Sequence, residues 1–291
     1  MKSRGAAAIA RQVADEAVAK RNNPQQEERY IHPSSLAKGC MLYVARELLG
    51  VPKPEFEPKV QRILDVGTES HRRILRSLRR ITLGHEVFFQ DDEYHIRGYC
   101  DAIFFIPPSL DAEHAGFYAL EVKTAGSDVY ERIEDEGVPR DDHVRQCLIY
   151  IWGLLRYYGG AIPLRGGIVF YENRDTLEQA AFEIGYDEAL MNAFLAQVRA
   201  MLERMREGQL PEDHLSQDQW AHRYCPYLDI CEPGRAAMEW QKEHREGLPD
   251  HVLAEIIAER IVRKRRKQGG KETQKKGARS LEDLVAELEW K

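Results

Sequence analysis

The sequence of 291 residues lacks an apolar run of about 18 residues, the length that a membrane-spanning helix needs. A signal-peptide core is also missing, because the short apolar run at residues 6–10 is followed at once by Arg11 and soon by two acids. No Gly-x-x-x-x-Gly-Lys-Ser/Thr motif occurs, which excludes a P-loop motor. These absences predict a cytoplasmic protein without a membrane partner that acts alone or beside a separate motor protein.

Cysteine is scarce, with five residues in the chain, and no internal repeat is present. A long chain without a secretion signal suits a reducing compartment, so the cysteines are interpreted as packed thiols or metal ligands rather than disulfides. With 43% hydrophobic and 31% charged residues the composition is globular. The length allows one large domain or two small ones.

Positive charge is in deficit, since 42 Lys and Arg face 48 Asp and Glu, for a formal net charge of -6. This balance argues against a purely electrostatic nucleic-acid binder. The average hides a strong asymmetry, however. Residues 260–279 contain ten basic residues and one acid, whereas residues 280–291 contain four acids and one base. An acidic body is therefore followed by a strongly basic segment.

Helical periodicity dominates the first eighty residues. Apolar residues at four-residue spacing predict a helix over residues 6–20, and a second helix follows Pro33, with Ser34 or Ser35 as N-cap and Gly50 as its stop. A third helix is predicted at about residues 59–80 and carries His71. Its apolar positions are expected to face inward: Ile63, Val66, Ile74 and Leu78.

The period then changes to that of strands. Residues 83–106 are rich in β-branched and aromatic residues, and the polar break at residues 91–93 predicts a hairpin turn. Further strands are predicted at residues 117–124, 166–172 and 177–184, with helices around 128–136, 141–158 and 187–207. A Trp/Cys/Pro-rich irregular segment follows residue 211, then helices around 250–267 and from Ser280. This order predicts an α/β fold in which helices flank a mixed sheet of four to six strands.

A Glu-x-Lys pattern lies in the strand at residues 117–124. Because side chains alternate along a strand, Glu121 and Lys123 point to one face while Leu120 and Val122 point to the other. Most such pairs are solvated strand faces, but Asp101 follows Gly98 on a neighbouring predicted strand, so the two carboxylates could meet. Two carboxylates that converge on a hard cation, with a Lys beside them, are what phosphodiester hydrolysis requires.

Two further elements flank this pair. Gln146 and Tyr150 are four residues apart on a predicted helix and therefore share a face. His71 taken alone is more simply a structural histidine. Together, in this chain order, the four elements resemble the RecB-like branch of the PD-(D/E)xK nuclease superfamily over about residues 30–235.

The resemblance implies a restriction-endonuclease-like fold and a metal-dependent deoxyribonuclease. It implies that Mg²⁺ or Mn²⁺ is held by His71, Asp101, Glu121 and the Val122 carbonyl. It also implies that Lys123 positions the attacking water and that Gln146 and Tyr150 contact the DNA near the scissile phosphate. We expect a stand-alone exonuclease of recombination, repair or phage and mobile-element replication, in a bacterial or phage-infected cell. The alternatives are a CRISPR-adaptation nuclease that trims DNA before integration and a non-catalytic DNA-binding module of the same fold.

A subgroup of this branch, which includes the nuclease domain of AddB, holds a 4Fe-4S cluster through one early Cys and three late ones. Here Cys40 precedes the core and Cys225 and Cys231 follow it with the subgroup's spacing, but His222 stands where the first late Cys is expected. His222 could complete an iron-sulfur cluster, the four residues could hold Zn²⁺, or no metal binds and the cysteines are packed. Of the three, we expect the cluster, which would make residues 222–231 a clasp to Cys40. Cys100 and Cys147 are expected to be buried thiols.

The last feature of the sequence is the basic segment at residues 260–279 and the residues that follow it. Charge runs are usually solvated linkers, but we expect this one to follow the DNA backbone, through Arg263, Lys264, Arg265, Arg266 and Lys267. Residues 280–290 are predicted to form a short helix, and we expect its apolar stripe to dock on the body or on a recombinase, helicase or single-strand-binding protein. The predicted organisation is therefore an N-terminal helix (1–29), a nuclease domain (30–235), a helical extension (236–268) and a basic linker with a short helix (269–291).

Overall fold

The computed structural model of the protein describes Arg11, Asp15 and residues 30–54 and 58–244. The chain divides into two compact units, Met1–Leu215 and Ser216–Lys291. The basic run at 263–267 and the helices predicted around 250–267 and from Ser280 lie outside the described residues, as does the helix at 6–20 apart from Arg11 and Asp15. The domain boundaries drawn from the sequence stay predictions. No helix in the described part of the chain is both long and apolar enough to cross a membrane.

The first unit is built from helices and five strands, close to the order that the sequence predicts. In chain order its elements are α1 (Pro33–Leu36), α2 (Met41–Leu48), α3 (Pro58–Ser77), β1 (Thr82–Asp91), β2 (Ile96–Ile106), β3 (Gly116–Ala125), α4 (Ser127–Glu136), α5 (Asp141–Tyr157), β4 (Leu164–Asn173), β5 (Gln179–Ile184) and α6 (Glu188–Arg206).

The five strands form one mixed sheet in the order β1-β2-β3-β4-β5. β1, β2 and β3 are successive antiparallel neighbours, β3 and β4 are parallel, and β5 is antiparallel to β4. The parallel pair requires a long crossover, which α4 and α5 supply. This arrangement, an α/β fold with helices flanking a mixed sheet, confirms the predicted fold class and is consistent with a restriction-endonuclease-like fold.

Apolar residues from β2, β3 and α3 form a core cluster: Ile74, Ala102, Phe104, Tyr118, Leu120 and Val122. The helix α5 packs against β1, β3 and β4. Its fit is tight, because a Cβ added at Gly153 would overlap the buried Phe89 ring and one added at Gly167 would overlap the Cys147 sulfur. Close approach of α5 to the sheet holds its side chains near those of β3.

Two local predictions are wrong. The helix expected after Pro33 is two helices, because the chain breaks at residues 37–40, where Gly39 has a φ of +74°; His32, not a serine, is the N-cap. In α3, Ile63 and Val66 are 43% and 52% exposed, since only the later part of the helix, from Ile74 onward, packs on the core cluster. Helical periodicity specifies a face but not how much of the face is covered.

The second unit is described from Ser216 to His244. It contains two short 3₁₀ helices, Trp220–Tyr224 and Leu228–Ile230, and the helix α7 (Glu232–Glu243). The amide of the buried Gln241 donates to the backbone oxygens of Gln217 and Gln219, which ties α7 to the start of the unit.

Candidate functional site

Two strands place two carboxylates side by side. β2 and β3 pair with Ala102 opposite Leu120, and Asp101 and Glu121 are the next residues along each strand. Asp101 Oδ2 accepts a hydrogen bond of 2.7 Å from the Val122 amide, just beyond the last paired residues of β2 and β3. The Asp101 side chain is 20% exposed and that of Glu121 only 1%. One carboxylate therefore reaches solvent and the other is enclosed.

Burial raises the pKa of both groups. The pKa of Asp101 rises to about 6, chiefly because burial disfavours its charged form, and the Val122 amide offsets part of this rise. The pKa of Glu121 rises to about 7 because of burial and because of the neighbouring Asp101 charge. Two neighbouring acids, one enclosed and one partly exposed, repel each other when both are charged, so the pair favours either protons or a cation between them.

One oxygen of Glu121 pairs with the Lys123 ammonium, while Glu121 Oε2 is buried and has no hydrogen-bond partner among the described residues. A buried carboxylate oxygen without a partner is costly unless something else occupies its lone pairs. This atom is the strongest local indication that the site is built to hold a ligand.

His71 approaches the same carboxylates from α3. Its Nδ1 lies 3.7 Å from Asp101 Oδ2, and its ring hydrogen-bonds the backbone of Val122. Burial lowers its pKa, so the imidazole is neutral, which is the form that ligates metals. Two residues further along α3, Arg73 pairs with the fully buried Glu172 of β4, whose other oxygen accepts from Gln179. This ion pair fixes the part of α3 that carries His71 to the sheet.

A chain of polar contacts runs from Lys123 into α5. Lys123 Nζ donates to Gln146 Oε1 at 3.0 Å, and Gln146 Nε2 donates to the Tyr150 hydroxyl at 2.8 Å. Gln146 is 7% exposed and Tyr150 4%. The structure thus brings together all the residues predicted for the hydrolytic centre. Gln146 and Tyr150, however, are buried: Gln146 contacts Lys123, and Tyr150 contacts Gln146.

His143 was not predicted from the sequence. It lies three residues before Gln146 on α5, and its Nδ1 is 2.7 Å from the Tyr171 hydroxyl. Burial lowers its pKa to about 3, with the Lys123 charge acting in the same direction, so its ring is neutral. The i, i+3 spacing to Gln146 could have found it, because such residues share a helix face.

The residues predicted for an iron-sulfur cluster are divided between the two units. Cys40 is the N-cap residue of α2, whereas Cys225, Cys231 and His222 belong to the second unit, where His222 Nε2 lies 3.0 Å from the Ser216 carbonyl. Within the described ranges, no group of three or more His, Cys, Asp or Glu side chains that could hold a metal is found. Cys100 and Cys147 are buried thiols, as predicted, and burial raises the pKa of both.

A comparison with known proteins decides the family. The sequence pattern of the PD-(D/E)XK nuclease superfamily matches residues 4–232. The chain belongs to the PD-(D/E)XK nuclease superfamily. The sequence Glu121-Val122-Lys123 has the form (D/E)xK that the superfamily's name describes.

Similar solved structures include SSO0001, which is 20% identical with a TM-score of 0.46, over 78% of this chain and 97% of that one. An alkaline exonuclease from Laribacter hongkongensis, LHK-Exo, is 15% identical with a TM-score of 0.40, and its complex with dAMP is 14% identical with a TM-score of 0.41. Both LHK-Exo comparisons cover 68% of this chain and 97% of that one. No curated protein sequence matches the chain.

Proposed function

We propose that this protein is a divalent-cation-dependent DNA exonuclease that hydrolyses phosphodiester bonds in recombination, repair or phage and mobile-element replication. The observation that carries the proposal is the buried, unpartnered Oε2 of Glu121 beside the raised-pKa carboxylate of Asp101, in a chain of this superfamily. Within the described residues this atom has no protein partner, and a cation would satisfy it.

The donor set fits a hard cation. Carboxylate and carbonyl oxygens are the ligands that Mg²⁺ and Mn²⁺ prefer. Asp101, Glu121 and the Val122 carbonyl would hold the cation, with His71 at its side. When bound, the cation would neutralise charge on the scissile phosphate and lower the pKa of a water molecule.

Lys123 is the group that we propose to position the attacking water and to stabilise charge in the transition state. It can do so because its side chain is 23% exposed and its ammonium is held in place by Glu121 and Gln146. We propose that Gln146 and Tyr150 are positioning residues for Lys123. Their burial supports this role better than the DNA contact that the sequence suggested.

The assay that tests this function uses end-labelled single-stranded and duplex DNA with Mg²⁺ or Mn²⁺. Wild-type protein should shorten the DNA from an end, and Asp101→Ala should lower the rate by at least about 10³-fold because a cation ligand is lost. Closed circular DNA should not be degraded, because it has no end. Wild-type protein that is inert on every type of DNA end would contradict the proposal and favour a non-catalytic DNA-binding module. Cleavage of the circular DNA would show an endonuclease. The genes beside that of this protein would distinguish a CRISPR-adaptation nuclease from an exonuclease of recombination, repair or replication.

An iron-sulfur cluster held by Cys40, His222, Cys225 and Cys231 remains a proposal that rests on the resemblance and the spacing. Purified protein is expected to be brown and to contain about four iron atoms per chain. Cys231→Ser should lose the iron, while Cys147→Ser, a buried thiol outside the set, should keep it. Zinc in place of iron would favour a Cys3His zinc site. Protein that contains no iron and no zinc would contradict the metal clasp.

The C-terminal proposals concern residues outside the described ranges. Arg263–Lys267 would follow the DNA backbone, and residues 280–290 would dock on the body or on a recombinase, helicase or single-strand-binding protein. Both are carried by charge and apolar periodicity alone.

A further inference from the structure

A pair of aromatic residues, one of them exposed, lies near Asp101 on the β1-β2 hairpin. Tyr99 of β2 is 57% exposed, and its ring lies 5.3 Å from that of Phe88, its register partner on β1, at an interplanar angle of 57°. Tyr157 also packs edge-on against Phe88, at 5.5 Å and 88°. Phe88 therefore contacts two rings, and Tyr99 is the one beside it on β2 that is exposed to solvent.

Tyr99 shares a face of β2 with two charged residues. Along this strand Gly98, Cys100 and Ala102 are buried, whereas Arg97, Tyr99 and Asp101 are not, as the alternation of a strand requires. Tyr99 lies about 7 Å from Asp101 along the strand, and Arg97 about 13 Å. The order on this face is a carboxylate of the proposed cation site, an aromatic ring and a guanidinium.

That order is complementary to a short single strand of nucleic acid. A phosphate near Asp101 would meet the cation, the adjoining base could stack on an exposed ring, and the next phosphate could meet Arg97. Base stacking on aromatic side chains is the sequence-tolerant mode by which proteins bind single strands, and a paired base in a duplex does not present its face in this way. Arg97 is held by its contact with the Tyr30 ring, at 4.7 Å.

We propose that Tyr99, supported by Phe88, is a stacking platform for an unpaired base next to the scissile phosphate, and that Arg97 binds the following phosphate. The inference rests on the proposed function and deepens it: the preferred substrate is a single-stranded or frayed DNA end. Cross-strand aromatic pairs also stabilise hairpins, so the test must separate binding from stability.

The experiment measures the affinity of a labelled single-stranded oligonucleotide and of a blunt duplex of the same sequence, by fluorescence anisotropy. The protein carries Asp101→Asn and no divalent cation is added, so the measurement does not depend on cleavage. Tyr99→Ala should weaken single-strand binding by about 5- to 150-fold, the range for loss of one base-aromatic stack, and affect the duplex much less. Tyr99→Phe should retain binding, and Arg97→Gln should reduce the salt slope by about 0.7.

Tyr186→Ala, which removes an exposed tyrosine elsewhere, is the matched control and should change neither affinity. Melting temperatures are recorded for every variant. Unchanged single-strand affinity in Tyr99→Ala, an equal loss for duplex, failure of Tyr99→Phe to restore binding, or a loss that follows the melting temperature would each overturn the platform. Wild-type protein that cleaves no DNA would instead refute the proposed function, while the binding data would still decide this inference.

Discussion

Replacing Glu121 with Gln is expected to reduce DNA cleavage by at least about 10³-fold and, at the same time, to make the cation-free protein more stable at pH 8. The loss of activity follows because a charged cation ligand becomes a neutral amide. The gain in stability follows because a buried carboxylate with an unpartnered oxygen is removed. A substitution that only damaged the fold would lower both quantities.

The stability of the cation-free protein depends on pH through the Glu121 carboxyl group. The folded-state pKa of Glu121, about 7, is above its ordinary value of 4.5, so the native protein holds a proton that the unfolded chain has lost between these pH values. Stability therefore falls as the pH rises through this window and is lowest above it. The advantage of Glu121→Gln should be about 1–3 kcal/mol at pH 8 and should vanish below about pH 4.5.

Thermal unfolding in a chelator between pH 4 and pH 8, with cleavage assays in parallel, measures both effects. The melting temperature at pH 8 should rise by a few degrees. Glu183→Gln, which removes an exposed carboxylate from β5, is the control and should leave activity and stability unchanged. A lower melting temperature for Glu121→Gln at pH 8 would show that Glu121 stabilises the fold and would contradict its assignment as a cation ligand.

Replacing Lys123 with Ala is expected to slow the chemical step by about 10²–10³-fold, the usual effect of losing one group that stabilises charge in a transition state. DNA affinity should change only a few-fold, because Lys123 is one charge on a site whose binding surface extends beyond it. Lys123→Arg should not restore the rate, since a planar guanidinium cannot occupy the place of a compact ammonium between Glu121 and Gln146.

Single-turnover cleavage at saturating protein separates the rate from the affinity. Lys53→Ala is the matched control, because Lys53 also pairs with a partly buried carboxylate, Glu47, and contacts the Tyr43 ring, but it belongs to the region around α2. A wild-type cleavage rate for Lys123→Ala, or an equal loss of cleavage rate in Lys53→Ala, would contradict a role of Lys123 in the chemical step.

The sequence was sufficient for the succession of strands along the chain, and it suggested that the two carboxylates could meet. Strand periodicity, turn residues and the alternation of Glu121 and Lys123 are local properties, and antiparallel pairing of β2 with β3 brings Asp101 to Glu121 without further information. The paired strands therefore place Asp101 beside Glu121.

Features that depend on packing between elements could not be predicted. Ile63 and Val66 have core periodicity, but they lie on a part of α3 that does not pack on the core cluster. Gln146 and Tyr150 share a polar helix face, and only the close approach of α5 turns that face toward Lys123 instead of solvent. His143 has the i, i+3 spacing to Gln146, but its contact with Tyr171 of β4 depends on how α5 packs on the sheet.

The most direct test of the cation site is a calorimetric titration of the metal-free protein with Mn²⁺ at pH 6.5, in two buffers of different ionisation enthalpy. Because the pKa values of Asp101 and Glu121 are raised to about 6 and about 7, binding should release protons from this pair. Proton release and affinity should both fall sharply in Glu121→Gln. Binding of equal strength in wild type and variant, with no difference in proton release, would contradict a cation held by these carboxylates.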